Sequence, residues 1–266
     1  MATPSLWARQ AVTATRLETR ALTRHFGALM AVQQIDFKLD AGARHALIGP
    51  NGAGKTTFVN LLTGVLSPSG GRVLLKGRDI TAMAQAERVK LGIARTFQIN
   101  RLFRGLSVLE NVCIPVAERV GAAGSMFYPT GRCTDIIAES MALLEALKLA
   151  DAAHHRVSEL PYGRQRLVEL AITLGLKPAV LLLDEPAAGV PSAESHIILD
   201  AIEALPKDIA VLIIEHDMDL VFRFAERVTV MVGGAIFAEG TPHEIEANPQ
   251  VRAVYLGQAG QRTSHG

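Results

Sequence analysis

Residues 49–56 read Gly49-Pro50-Asn51-Gly52-Ala53-Gly54-Lys55-Thr56, and this stretch decides the fold of the chain. It matches the pattern G-x-x-x-x-G-K-[ST], which binds phosphate groups when it joins a strand to a helix. The apolar run Ala46-Leu47-Ile48 predicts the strand before the loop. After the loop, the apolar residues at 58, 59, 61 and 62 have helical spacing. The sequence therefore predicts a phosphate-binding loop between a buried strand and a helix.

Each part of this loop has a chemical role. The three glycines let the backbone turn, so that successive N–H groups point at the phosphates of a nucleotide at a helix N-terminus. Lys55 would neutralise phosphate charge, and the hydroxyl of Thr56 would bind Mg²⁺. The residues expected to bind the nucleotide here are Gly49, Pro50, Asn51, Gly52, Ala53, Gly54, Lys55, Thr56 and Thr57.

The composition is that of an ordinary globular protein. The chain has 266 residues, 49% of them hydrophobic, which suits one large domain or two small ones. Its 27 Lys and Arg residues nearly balance 26 Asp and Glu, so the overall charge gives no argument for a nucleic-acid partner. Cys113 and Cys133 are too few for a disulfide framework. No apolar run approaches the roughly 18 residues of a membrane helix, so we expect that the chain does not cross a bilayer alone.

The order of elements predicts an α/β fold. Residues 1–14 lack a long hydrophobic region, so we expect a loose tail there rather than a secretion signal. Alternating apolar residues predict antiparallel strands at 15–39. From about residue 100 to 176 helical spacing replaces the strand signals, with a mobile glycine-rich loop expected at 121–132. Strands then alternate with helices, which predicts a mostly parallel sheet before a tail at 258–266.

Two carboxylates follow the apolar strand predicted at 180–183. Asp184, at the end of the strand, would hold Mg²⁺ directly or through water. Glu185 is placed to accept a proton from the attacking water, or to orient it. The alternative, two solvated acids that end a strand, is the weaker interpretation because the phosphate loop lies upstream. The pair is therefore predicted to form a Walker B motif.

Two more polar residues end predicted strands. His216 follows the strand predicted at 210–214, and parallel sheets bind ligands at this edge. It could donate to the γ-phosphate or hold the catalytic water. Gln98 ends the strand predicted at 93–97, and its amide could contact Mg²⁺ or the water. From these residues alone, a structural role for either one stays open.

A last candidate segment is Leu160-Pro161-Tyr162-Gly163-Arg164-Gln165, which precedes an amphipathic helix predicted at 167–176. A helix N-terminus with a glycine at its start is an anion-binding element. An ordinary helix start explains these residues equally well when they are taken alone.

As a set, these residues resemble the ATP-binding subunit of ABC transporters, and the resemblance covers residues 15–257 as a single domain. It implies the P-loop ABC-ATPase fold, in which a mostly parallel sheet carries an antiparallel β subdomain and a helical signature subdomain, here at about 100–176. It also implies that Phe26 stacks on adenine. The family's motifs fall on 49–56 (Walker A), Gln98 (Q-loop), 160–165 (signature), Asp184 and Glu185 (Walker B) and His216 (switch histidine).

Several further runs of sequence resemble the ATPases of branched-chain amino acid importers. The matching runs are Ala94-Arg95-Thr96-Phe97-Gln98, Arg101-Leu102-Phe103, Glu185-Pro186-Ala187-Ala188-Gly189, Ile214-Glu215-His216-Asp217-Met218, Glu239-Gly240-Thr241-Pro242, Asn248-Pro249 and Tyr255-Leu256-Gly257. The resemblance implies a motor that binds and hydrolyses ATP to drive amino-acid or related small-solute transport.

The same resemblance implies partners and a location. Two ATP-binding subunits, the same or sister chains, would face each other head to tail, and each ATP would lie between the P-loop of one and the signature of the other. Closure on ATP would act on transmembrane permease subunits through the region near 101–112. The chain would then be peripheral, on the cytoplasmic face of the membrane. A periplasmic or extracellular solute-binding protein would be an indirect partner, and no nucleic acid is expected.

Two departures from the family pattern affect the contacts between subunits. Pro161 and Tyr162 replace the serine and first glycine of Leu-Ser-Gly-Gly-Gln, so a hydroxyl contact to phosphate is lost, while Gly163 keeps its backbone N–H. Pro191 stands where the loop after Walker B usually carries Asp or Asn. We expect hydrolysis to be retained, because Lys55 and the Walker B and switch residues are present.

Other functions share the same motifs. An ATPase of an export or lipid-transport system differs mainly in its coupling surface. A soluble ABC ATPase that acts on DNA or ribosomes usually has a long coiled-coil insertion or two fused cassettes, and neither is seen here. A P-loop kinase or GTPase is disfavoured by Gln98, Glu185 and His216 together.

Overall fold

The computed structural model describes residues 15–96, 102–122, 130–190 and 192–259. The strands are β1 (Thr15–Phe26), β2 (Leu29–Asp40), β3 (Arg44–Ile48), β4 (Gly70–Leu75), β5 (Arg78–Asp79), β6 (Ile93–Arg95), β7 (Val180–Asp184), β8 (Ala210–Ile214), β9 (Arg227–Val232) and β10 (Ala235–Gly240). The helices are α1 (Lys55–Thr63), α2 (Gln85–Lys90), α3 (Val108–Arg119), α4 (Thr130–Ala146), α5 (Tyr162–Gly175), α6 (Ser192–Glu203), α7 (Met218–Phe224), α8 (Pro242–Ala247) and α9 (Pro249–Ala259), with 3₁₀ turns at Ala150–Ala152 and Val157–Glu159.

The central sheet has six strands in the order β10-β9-β3-β8-β7-β6. Neighbouring strands pair in parallel from β9 to β6, and only β10 is antiparallel. All five residues of β7 and of β8 are buried, as expected for strands covered on both faces. The predicted mostly parallel sheet is therefore confirmed, with the phosphate loop at the end of its strand β3.

A second sheet has the order β2-β1-β4-β5, and all its pairs are antiparallel. This confirms the antiparallel strands predicted at 15–39. The inward residues of β2, such as Phe37, share a core with Phe58 and Leu62 of α1. The P-loop helix is therefore packed between the two sheets, which fixes the direction in which its N-terminus points.

The region between β6 and β7 is helical, as predicted. Helix α3 begins at a capping box in which Ser107 accepts from the N–H of Glu110 and the Glu110 carboxylate bonds back to Ser107. Helices α3, α4 and α5 pack on one another around Val112, Leu144 and Val168. This core is continuous with one face of the central sheet, so the helical region packs directly against that sheet.

Several predicted boundaries need correction or lie outside the described residues. The loop predicted at 121–132 extends too far, because α4 already begins at Thr130; a glycine is tolerated in a first turn, where N–H groups have no helical partner in any case. The tail predicted at 258–266 likewise begins too early, because α9 continues to Ala259. The tail predicted at 1–14 and residues 123–129 lie outside the described residues.

Two C-terminal helices were not anticipated from the sequence. Thr241 caps α8 in a capping box with Glu244, and Pro242 occupies the first turn. The signal was present as Thr-x-x-Glu with a proline inside the start. In the described part of the chain, no helix has the length and apolar character needed to span a membrane.

Candidate functional site

One cleft of about 650 Å³ brings together most of the residues predicted to bind ATP. Because β3, β8 and β7 are neighbours and run in parallel, their carboxyl ends meet at one edge of the sheet. The predicted residues that line the cleft are Phe26, Asn51, Gly52, Ala53, Gly54, Lys55, Thr56, Thr57, Asp184, Glu185 and His216. The two remaining loop residues, Gly49 and Pro50, contact the lysine within the loop.

Two glycines of the loop are required by close backbone contacts. Gly49 has φ +150°, and a Cβ there would lie 2.1 Å from the carbonyl oxygen of Met231. Gly54 has φ +97°, and a Cβ would lie 2.3 Å from the carbonyl oxygen of Ala31. Any side chain would therefore collide with backbone atoms, whereas glycine allows the turn.

Lys55 is folded back onto the loop that precedes it. Its Nζ donates to the carbonyl oxygens of Gly49, at 2.6 Å, and Pro50, at 3.0 Å. Burial lowers the pKa of the Lys55 ammonium, and the nearby carboxylates of Glu185 and Asp184 oppose this shift. The lysine is thus held at the loop, with two acidic groups close to it.

Asp184 ends β7 as a nearly fully buried carboxylate, 4% exposed, whose Oδ2 accepts from Nη2 of Arg95. Thr56, at the start of α1, lines the same cleft. A carboxylate and a hydroxyl are oxygen ligands of the kind that Mg²⁺ takes beside nucleotide phosphates. The donor set therefore fits Mg²⁺, although a role in metal binding remains a prediction for both residues.

Glu185 and His216 contact each other across the ends of β7 and β8. Oε1 of Glu185 lies 2.7 Å from Nε2 of His216. The backbone of Glu185 has φ +46°, a left-handed conformation that is uncommon for a residue with a side chain, and its N–H donates to the carbonyl oxygen of Ile214 at 2.9 Å. The strained backbone is thus anchored to the neighbouring strand, which aims the carboxylate at the histidine.

Glu215 is a buried acid beside this pair that we did not predict as a site residue. Its carboxylate accepts from the backbone N–H of Ala187, at 3.4 Å, and of His216, at 3.2 Å. Burial raises the pKa of Glu215 to about 7. The sequence could have indicated Glu215 as a site residue, because it directly follows the wholly apolar strand β8 and an acid at that position is expected to be buried. It links the loop after Walker B to the histidine.

Phe26 ends β1 at the rim of the cleft. Its side chain is 42% exposed, and the guanidinium of Arg24 lies 4.6 Å from the ring centroid. A cation over an aromatic face is a stabilising arrangement that fixes the ring. The ring is therefore a preformed, accessible flat surface, and its stacking on adenine stays a prediction.

The predicted signature residues do not line this cleft. Helix α5 begins at Tyr162 with Pro161 as its N-cap, earlier than the predicted start at 167, because the turn at 162–166 is itself helical. Nε2 of Gln165 donates to the carbonyl oxygen of Leu160 at 2.8 Å, while the half-buried Arg164 pairs with the exposed Asp151.

Tyr162 connects the start of α5 to the loop after Walker B. The guanidinium of Arg166 lies 5.2 Å from the tyrosine ring centroid and donates to the carbonyl oxygen of Ala188 at 3.4 Å. A Cβ built on Gly189 would lie 3.4 Å from the ring. Tyr162, which stands at the position of the first glycine of the family signature, thus packs against the loop after Walker B. The predicted site residue Gln98 and the departure at Pro191 lie outside the described residues.

A phosphate loop, a pair of acids after β7 and a histidine after β8 on one parallel-sheet edge define a P-loop ATPase fold. The family model for the ABC transporter matches residues 32–188, and the model for the branched-chain amino acid ATP-binding cassette transporter matches residues 235–260. The chain belongs to the ABC transporter family, as one of its nucleotide-binding ATPases. The predicted fold and family are confirmed.

Curated relatives align along nearly the whole chain. It is 37% identical over 250 residues to the high-affinity branched-chain amino acid transport ATP-binding protein BraF of Pseudomonas aeruginosa, covering 91% of this chain and 98% of that protein. It is 36% identical over 250 residues to the corresponding protein LivG of Escherichia coli K12, with the same coverage.

Solved structures show the same fold. An ATP-binding cassette of an ABC transporter in its ADP conformation superposes with a TM-score of 0.81 at 31% identity, over 92% of this chain and 100% of that one. A nucleotide-free cassette superposes with a TM-score of 0.78 at 30% identity, over 91% and 98%. The chain is therefore an ABC-type transport ATPase by sequence and by fold.

Proposed function

We propose that this chain is the ATP-hydrolysing motor subunit of an importer for branched-chain amino acids or related small polar solutes. The observation that carries the proposal is the single cleft that holds Lys55, Asp184, Glu185 and His216 together. The type of cargo is supported by the names of the aligned relatives, which are branched-chain amino acid transport proteins.

Each group in the cleft has a proposed role. Phe26 stacks on the adenine, and the loop N–H groups with Lys55 bind the phosphates. Thr56 and Asp184, together with Gln98, would hold Mg²⁺, which would supply positive charge to neutralise the bound phosphates.

Hydrolysis then depends on two neighbouring groups. Glu185 accepts a proton from the attacking water, and His216, whose Nε2 lies 2.7 Å from Oε1 of Glu185, orients that carboxylate or donates to the γ-phosphate. Because all these groups are present, we propose that hydrolysis survives the signature departures at Pro161 and Tyr162.

The proposed assembly has two ATP-binding subunits head to tail, with residues 160–165 of one subunit contacting ATP on the other. Closure on ATP moves the helical region, which pushes on transmembrane permease subunits at the cytoplasmic face of the membrane. A solute-binding protein outside delivers the cargo. The exposed side chains of Phe103 and Leu106 lie within the region near 101–112 that is proposed to reach the permease, and they are apolar and suited to such a contact.

A pull-down tests this proposal. The tagged Glu185→Gln chain, which should bind ATP without hydrolysing it, is expressed in its own host and recovered from detergent-solubilised membranes with ATP. The matched control is Lys55→Ala, which should not hold nucleotide. A multi-spanning permease and a sister ATPase should co-purify with the first variant and much less with the second.

The complex purified with the wild-type chain gives a second measurement. The ATPase rate of the wild-type complex should exceed that of the Glu185→Gln complex. A branched-chain amino acid with its binding protein should raise the wild-type rate. Recovery of ribosomes or DNA in place of a permease would refute the transport role. Equal ATPase rates in the two complexes would refute hydrolysis.

A further inference from the structure

Arg95, at the end of strand β6, is a cation with a side chain only 10% exposed, and no part of the proposed mechanism yet uses it. Its strand pairs in parallel with β7, and Arg95 is in register with Leu182. Paired residues, and residues two apart on a strand, share a face of the sheet. Arg95 and Asp184 therefore lie on the same face, the one on which α1 packs.

The guanidinium of Arg95 joins two elements of the nucleotide site. Nη2 donates to Oδ2 of Asp184 on β7, and Nη1 donates to Oδ1 of Asn60 on α1 at 2.6 Å. The side chains of Arg95 and Asp184 are 10% and 4% exposed. Asn60 lies four residues after Thr56, so both are on one side of the P-loop helix.

The chemistry of this contact favours a fixed geometry. A guanidinium presents a rigid, planar set of donors, whereas a lysine ammonium is one point charge and could not bridge both acceptors in the same way. A buried ion pair loses much of its solvation, so its members stay paired where their geometry is satisfied. The bridge therefore limits the rotamers of Asp184 and sets the distance between β7 and α1.

We propose that Arg95 is a positioning residue for the metal: it holds Asp184, and through Asn60 the helix that carries Thr56, in the arrangement that binds Mg²⁺ with ATP. This rests on the metal site of the proposed function. Groups that orient a metal ligand commonly change metal affinity by about 10- to 100-fold when they are removed. Arg95 itself is not expected to touch the nucleotide.

The test measures nucleotide binding and metal binding separately on the purified full-length chain. Affinity for a fluorescent ATP analogue is measured in excess EDTA and then across a Mg²⁺ titration. In Arg95→Gln, the EDTA affinity should stay within about twofold of wild type, while the Mg²⁺ concentration for half-maximal effect should rise about tenfold or more. Asn60→Ala and Arg95→Lys should show smaller increases in the same direction.

A matched control is Arg20→Gln. It removes an exposed arginine that pairs with Glu18 at 2.9 Å, away from the cleft, and it should leave both measurements unchanged. Unfolding in urea shows which variants are folded; if Arg95→Gln is not, Arg95→Lys and Asn60→Ala carry the test. A half-maximal Mg²⁺ concentration that is unchanged, or lower, in the folded variants overturns the proposal. Failure of the wild type to bind nucleotide would refute the proposed function itself.

Discussion

The imidazole of His216 is hydrogen-bonded to the carboxylate of Glu185, with 2.7 Å between Nε2 and Oε1. The two residues are 31 positions apart in the sequence, and they meet because each follows one of two adjacent parallel strands. A carboxylate held by an imidazole beside a phosphate-binding loop is well placed to act on a water molecule. This contact is the basis of the first prediction.

Glu185→Gln should lower the ATPase rate by about 10²- to 10⁴-fold, since an amide cannot accept the proton of the attacking water. Nucleotide affinity should change little, because the phosphate loop is intact. His216→Gln should lower the rate less, because the base remains. Steady-state ATPase assays and nucleotide binding on the same preparations measure both effects. A Glu185→Gln rate close to wild type would contradict the role of Glu185.

Phe26→Ala should weaken ATP binding by about 1–3 kcal/mol, which is about a 5- to 150-fold rise in Kd, because stacking on a base contributes about this much. Phe26→Trp should keep most of the affinity, since it offers a flat ring. Inorganic triphosphate, which has no base, should bind wild type and Phe26→Ala equally. Equal weakening for triphosphate and ATP would mean that the variant damages the loop instead.

Glu215 should make the folded state less stable as pH rises. Its pKa is raised from 4.5 to about 7 on folding, so between these values the folded state binds more protons than the unfolded state. The stability that protonation contributes is present below about pH 4.5 and is lost as pH rises through about 7. Glu215→Gln, which resembles the protonated form, should not lose this stability as pH rises. Urea unfolding of both proteins from about pH 5 to 8 measures the free energy of unfolding at each pH.

The difference in the free energy of unfolding between wild type and Glu215→Gln separates the contribution of Glu215 from that of other titrating groups. Burial lowers the pKa of His45 to about 4, and this contributes the opposite slope, because the unfolded state binds its proton first as pH falls. That contribution is common to both proteins and cancels. The advantage of Glu215→Gln over wild type should therefore grow up to about pH 7 and then level off. A constant difference would contradict the raised pKa.

Arg88→Met should lower the free energy of unfolding by about 2–4 kcal/mol, since buried carbonyl groups would lose their donor. The Arg88 side chain is almost fully buried, and it donates to the carbonyl oxygens of Leu61 and Leu62 at 2.7 and 2.8 Å. A cation at this position also complements the C-terminus of α1. Urea unfolding provides the measurement.

Its matched control is Arg72→Met, in which an exposed arginine 3.8 Å from Asp79 is removed. An exposed pair of this kind contributes little, so the change should stay within about 0.5 kcal/mol. Similar losses for the two variants would mean that the buried contacts of Arg88 do not anchor the P-loop helix.

The sequence by itself determined the phosphate loop, the Walker B strand, the antiparallel and parallel sheets and the helical region between them. These follow from local patterns: a glycine-rich loop needs positive φ, and a wholly apolar run of five residues is a buried strand. Exact ends were less accurate, as at Thr130 and Tyr162, because a helix start depends on how the first turn is satisfied.

Tertiary structure alone decided which distant polar groups meet. Arg95 and Asp184 are 89 residues apart, and they pair only because β6 and β7 are neighbours in the sheet order. Likewise, the pKa of Glu215 is raised because of the elements packed around it. Arg88 contacts the last turn of α1 only because the fold brings α2 beside that turn. The energy of such contacts depends on burial and orientation, which no local pattern of residues encodes.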